Sequence, residues 1–137
     1  MAKANNIIIT ILFGILAIIL GYAALRIVNL PRTYILSMIF ENGLDSRGFP
    51  TTGDSQVAFL IYIFFAGLAG SYVVGLFSQR RKWTLLLIFF GLLLANDIYS
   101  ILSPLVEQPV WVKVVIFVTL PLQIWIGGIL GMRSRKT

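Results

Sequence analysis

The sequence predicts an all-α integral membrane protein: a four-transmembrane-helix bundle with both ends on the cytoplasmic side and a short interfacial or re-entrant helix in the first outer loop. Three observations predict it. The composition is 58% hydrophobic and only 12% charged, with a mean hydropathy of +0.93, whereas a soluble domain carries roughly 45–50% apolar and about 25% charged residues. The apolar residues gather into runs at 7–25, 57–77, 84–103 and 114–131, each near the roughly 20 residues that cross a hydrocarbon core of about 30 Å. Lysine and arginine divide unequally between the two sides that four crossings define.

The first run follows the polar stretch 1–6 and ends at Arg26. It is longer than the ~7–15 apolar residues of a signal peptide, and the sequence from Arg26 to Pro31 lacks the small-residue pattern of a cleavage site, so we read the run as a retained span. The second and third runs are separated by a tight, basic turn that includes Arg80, Arg81 and Lys82. Pro104 and Pro109 bound an extended connection before the fourth run, because proline restricts its own backbone and that of its predecessor. The long connection is residues 26–56. Within it residues 34–41 are apolar but too short to cross, which suits an interface-lying or re-entrant helix. A turn-rich loop follows. The whole chain, 1–137, reads as one transmembrane domain.

With four crossings, one side holds Lys3, Arg80, Arg81, Lys82, Arg133, Arg135 and Lys136 and no acid; the other holds Arg26, Arg32, Arg47 and Lys113 balanced by Glu41, Asp45, Asp54 and Glu107. The positive-inside rule places the first set in the cytoplasm, and an inner or plasma membrane of the bacterial or archaeal kind is the expected location. The net charge of +6 and the isoelectric point near 10.1 therefore reflect topology, with anionic lipid as partner and no role for nucleic acid. Tyr22 and Trp111 fall near the outer boundary and Trp83 near the inner one, as interface anchors do. Trp125 falls deeper, where its indole N–H calls for a partner inside the bundle.

Helix association in lipid relies on small residues that let backbones approach. The first span carries Thr10, Gly14, Ala17, Gly21 and Ala24 in a heptad-like seam; the second carries Gly67, Ser71 and Gly75, with Ala66 and Gly70 alongside; the fourth carries Thr119, Gln123, Gly127 and Gly131. Packing within the chain accounts for these seams, and contact with a second subunit or a second copy is the other reading. Pro121 inside the fourth span withholds a backbone hydrogen bond from Phe117 and predicts a bend.

Cysteine and histidine are both absent, which removes disulfides, thiolate chemistry and the commonest metal ligand and general base. No metal or cofactor is expected. Asp97 is the acid placed inside a span, and an intramembrane acid is costly enough to suggest function. By depth, the candidates to surround it are Asn96, Ser100, Tyr62, Thr119, Gln123 and Arg26, the last reaching inward to pair with it. Two readings of this constellation stand side by side: a ligand or ion site, and a clasp between helices.

Small multidrug transporters share the size but look to an acid in the first helix, which residues 7–25 lack, and fluoride channels often balance their charges across the membrane, which this chain does not. The layout is similar to DoxX-like four-helix membrane proteins over most of the chain; no residue roles follow from that. The expected function is a non-enzymatic accessory subunit of a larger membrane complex, with membrane lipids and other subunits or a homo-oligomer as partners. A small transporter or proton-coupled carrier using Asp97, and a lipid- or quinone-binding protein, are the alternatives. The acids Glu41, Asp45 and Asp54 read as solvated loop residues rather than a lipid-processing site.

Overall fold

A computed structural model describes residues 2–46, 48–77, 83–102 and 108–134. The basic turn with Arg80, Arg81 and Lys82, the end of the third run at Ser103, and Arg47, Pro104, Glu107, Arg135 and Lys136 lie outside the described residues. The described chain is all helical apart from its loops: α1 Ala2–Asn29, α2 Arg32–Ile39, α3 Gly53–Phe77, α4 Thr84–Leu102 and α5 Val110–Ser134. Among the described residues three helical stretches, containing α1, α3 and α5, are long and apolar enough to cross a membrane. α4, at 19 residues, reaches about 28 Å at 1.5 Å per residue and sits at the short end of the spanning range. The molecule is thus an all-helical bundle whose three or four long apolar helices suit a membrane protein.

The helix ends follow backbone chemistry rather than the edges of the apolar runs. α1 continues past Leu25 to Asn29 and stops two residues before Pro31, whose predecessor is disfavoured in helix; Leu30 N–H still donates to Arg26 O at 3.0 Å. α2 starts directly after Pro31 and ends at Ile39, two residues before the expected limit, with Phe40 N–H closing it on Leu36 O at 2.9 Å. α5 begins at Val110, four residues before the apolar run, so Pro109 opens a helix instead of ending an extended piece. That is a favoured place for proline, just outside the first turn where its missing N–H costs nothing. α5 also runs through Pro121 without interruption. Two residues earlier the Thr119 hydroxyl lies within bonding reach of Val115 O, at 2.7 Å, and Ile116 O, at 3.2 Å.

α3 is the centre of the bundle, packed most extensively on α5 and then on α1. Its seam meets that of α5 in a parallel register: Gly67 lies against Gln123, Ser71 against Gly127, and Gly75 and Tyr72 against Gly128 and Gly131. The approach is backbone to backbone. A methyl group added at Gly75 would lie 2.5 Å from Gly128 O, and one at Gly127 would lie 2.7 Å from both Leu68 O and the Ser71 side chain. On the other flank α1 crosses α3 antiparallel, where a Cβ on Gly70 would stand 2.9 Å from Gly21 O. Gly14, Ala17 and Gly21 are buried as the α1 seam, whereas Thr10 is exposed and bonds only its own helix, at Asn6 O. Trp125, expected to turn inward, is 56% exposed and faces outward. Pro121, Leu122 and Ile126 are exposed on the same side, while Gln123, Ile124, Gly127 and Gly128 are buried.

Two apolar clusters fill the interior. One joins Val74, Leu86, Phe89, Leu93, Leu120, Ile124 and Met132. The other, at the end of the bundle that carries α2, joins Leu36, Phe59, Val112 and Ile116, with Phe40, Leu44 and Phe49 packed on it from the loop. That loop is ordered by its own hydrogen bonds. Gly48 turns through a φ of +85°, Asp45 N–H meets Phe49 O at 2.8 Å and Thr51 N–H meets Gly43 O at 2.8 Å. Thr52 and Ser55 then form a reciprocal capping box at the start of α3, each side-chain oxygen accepting the other's N–H at 3.3 and 3.1 Å. The buried Ser55 hydroxyl also donates to Gly43 O at 2.7 Å, tying loop to helix.

Gly127→Val should therefore lower stability in detergent by about 1–3 kcal/mol through overpacking against α3. Gly91, with open space where its Cβ would be, should accept the same change with little effect; thermal unfolding of the two variants side by side checks the contrast.

Candidate functional site

At the α2 end, the four long helices, the start of α2 and the loop converge on a cavity of about 230 Å³ that lies between the two apolar clusters. Each helix contributes one face. On α4 the lining residues are Leu93, Asn96, Asp97 and Ser100, the i, i+3, i+4, i+7 pattern of a single helical face. α5 contributes Ile116, Leu120 and Gln123, α3 contributes Phe59 and Ile63, and the loop contributes Phe49. α1 supplies Leu25, Arg26 and Asn29 from its last turn. The turn at Leu30 and Pro31 then brings back Arg32, the first residue of α2, onto the same cavity.

Of the residues grouped by depth around Asp97, the structure brings Asn96, Ser100, Gln123 and Arg26 to the cavity with it. Tyr62 and Thr119 are not among the lining residues. The Tyr62 hydroxyl instead donates to Val28 O at 2.6 Å. It thereby satisfies one of the last-turn carbonyls that a helix leaves open and pins α3 to α1. Thr119 accepts from the Gln123 amide at 3.3 Å and so positions Gln123 from behind. Arg26 does not pair with Asp97: it lines the cavity as an exposed residue, and no described residue gives Asp97 a hydrogen bond or an ion pair.

Asn29 and Arg32 were missed. The i, i+3 spacing of Arg26 and Asn29 places both on one face of α1 and was a usable signal. Arg32 gave none, because its position depends on the turn at Pro31. Its guanidinium carbon stands 4.6 Å from the centre of the Phe59 ring, a cation–π contact made stronger by partial removal from water. Phe59 in turn meets Phe49 edge-on, centroids 6.4 Å apart.

The polar groups are left incomplete. Arg32 Nε and Asn29 Oδ1 are buried with no hydrogen-bond partner, a condition that natural structures usually avoid. An unpaired donor, an unpaired acceptor, a carboxylate without a counterion and a second guanidinium border one volume. The set can bind groups of either charge; Arg32 and Arg26 suit an oxyanion, and Asp97 a cation. Among the described residues no three His, Cys, Asp or Glu side chains come together to hold a metal ion.

Comparison of the chain with protein-family models, curated proteins and solved structures finds no match.

Two outcomes follow from this geometry. Arg32→Met removes a buried unpaired donor at the cost of one cation–π contact and should raise unfolding stability by about 1 kcal/mol. Tyr62→Phe should lower it by about 1 kcal/mol, the typical net worth of one hydrogen bond, and leave the cavity unaltered. Denaturant unfolding in a defined micelle measures both, and a destabilised Arg32→Met would contradict the first.

Proposed function

We propose that this chain is a small, non-enzymatic multi-pass membrane protein that binds the polar end of an amphiphile in the cavity bordered by Arg32 and Asp97. One observation carries the reading: charged and amide groups of both signs line a single cavity and leave Arg32 Nε and Asn29 Oδ1 buried and unpaired beside an unpaired carboxylate. Polar atoms held in that condition are stabilised when a ligand completes their hydrogen bonds, and intramembrane ionisable groups characteristically mark ligand or ion sites.

The charge asymmetry of the sequence supports an orientation with both termini in the cytoplasm and α2 on the opposite face. On that orientation α2 lies in the outer interface. Its outward residues Tyr34, Met38 and Ile39 are each at least 65% exposed and meet lipid headgroups and upper acyl chains, as the apolar face of an interfacial helix does.

The accessory-subunit reading has less to rest on, because the seams that suggested it are occupied within the chain by α1, α3 and α5. It keeps one feature in its favour: the outward face of α4, where Gly91 and Ala95 are exposed together. Co-purification from mild detergent tests it, and a lone stable monomer counts against it.

For the binding reading, the full chain purified from its native membrane should retain an amphiphile detectable by native mass spectrometry. The Arg32→Gln/Asp97→Asn double variant, shown to be folded by circular dichroism, should lose it. Equal retention by both proteins would remove the cavity from consideration.

A further inference from the structure

One side of the cavity is bordered by the last turn of α1 and by α4. α1 and α4 run parallel and touch where a Cβ on Gly14 would meet Leu85 at 3.0 Å and one on Gly21 would meet Phe89 at 3.5 Å, in the first two turns of α4. Farther along, toward the α2 end, the cavity itself lies between them, bordered by Leu25 and Arg26 on one helix and by Leu93 and Asn96 on the other. Arg26 and Asn96 are exposed, whereas Arg32 and Asp97 are only partly so. Arg26 and Asn96 thus bring lining residues of both helices to the surface, and a mouth between α1 and α4 would open sideways into the bilayer.

We propose that the cavity is a site for a phosphoethanolamine-type headgroup, entered through this lateral mouth, in which Arg26 and Arg32 bind the phosphate and Asp97 with Asn29 binds the primary ammonium. The proposal rests on the amphiphile-binding reading above and names its ligand.

Charge supports a zwitterion. Two guanidinium groups and one carboxylate share the cavity without forming an ion pair among the described residues. A phosphate offers oxygens to the guanidinium forks, including the unpaired Arg32 Nε, in the geometry arginine favours. A primary ammonium offers three N–H donors, which suit the Asp97 carboxylate and the unpaired Asn29 Oδ1. A trimethylammonium group has the charge but no donor for Asn29. A phosphoglycerol group has no cation and leaves Asp97 unpaired. Size permits it: a cavity of about 230 Å³ is several times the roughly 30 Å³ that one water takes up in the liquid, which leaves room for a compact headgroup. The mouth, with Leu25 and Leu93 beside its polar residues, leaves the acyl chains in the lipid against the exposed sides of α1 and α4.

The test uses the full chain, delipidated in a non-ionic detergent, and isothermal titration with short-chain phospholipids that share acyl chains and differ in headgroup. The ethanolamine lipid should bind at least ~10-fold more tightly than the choline and glycerol lipids, the effect of one satisfied charge-assisted pair. Asp97→Asn should erase that preference while phosphate-dependent binding persists, and Asp97→Glu should restore part of it. Arg32→Gln should weaken all three lipids by roughly 10-fold or more. Free O-phosphoethanolamine should bind at least ~100-fold more weakly than the lipid, for want of the buried chain. Equal affinity for the three headgroups, or a preference untouched by Asp97→Asn, overturns the headgroup assignment while leaving the amphiphile site in place if Arg32→Gln still weakens binding. Free O-phosphoethanolamine binding as tightly as the lipid overturns the lateral route and points to a soluble source of the same headgroup. Failure of every lipid to bind overturns both readings together.

Discussion

Everything in this bundle is arranged around how closely α3 can approach its neighbours. In a bilayer the hydrophobic effect gives helices little reason to prefer one another over lipid, so contact depends on dispersion between surfaces that can come close. α3 presents small residues on two flanks: Gly67, Ser71 and Gly75 toward α5, and Gly70 toward α1. On both flanks the backbone itself is the contact surface. α4 lacks this device on its inward side, where Leu86, Phe89 and Leu93 are buried, and its Gly91 faces outward. Large inward side chains hold α4 at arm's length. The space that results is filled by apolar groups near Phe89 and by the polar cavity beyond Leu93.

The cavity is thus a product of uneven packing, and its chemistry comes from what the helix ends place there. The last turn of α1 and the first residue of α2 contribute cationic and amide groups, while the α4 face contributes the carboxylate. Leaving these groups incompletely satisfied costs stability in the unliganded protein. The rigid parts around them offset that cost: the Thr52–Ser55 capping box, the Ser55 to Gly43 hydrogen bond and the Tyr62 to Val28 hydrogen bond fix the loop and two helices before any ligand arrives. A site held in place beforehand loses less entropy on binding than one assembled by its ligand.

Much of the architecture was legible in the sequence, because span length and small-residue spacing are properties of a single helix and the bilayer sets the scale for both. Gly67, Ser71, Gly75, Gly127 and Gly131 could be picked out without knowing their partners. Asp97 could be singled out by expense alone, and four of its companions by depth. What could not be read was anything that depends on azimuth or on a turn. Tyr62 has the right height but points to the end of α1. Trp125 sits one turn past Pro121 on the outward side of α5, so its indole meets the surroundings of the bundle instead of its interior. Arg32 was counted among loop charges, since nothing local shows that Pro31 folds it back over Phe59. Boundaries moved for a related reason: a helix is ended by proline geometry and capping, so α1 runs on through polar residues and α5 starts at Val110, directly after Pro109.

The contact of Arg32 over the Phe59 ring and of Phe59 edge-on with Phe49 joins three parts of the chain that are otherwise held by separate hydrogen bonds. The guanidinium belongs to the cavity, the middle ring to the first turns of α3, and the outer ring to the loop beside Gly48. Position is therefore shared among them: the guanidinium covers the Phe59 ring, and Phe59 holds Phe49 edge-on. Loop and cavity are in this way one wall, with Phe49 serving both.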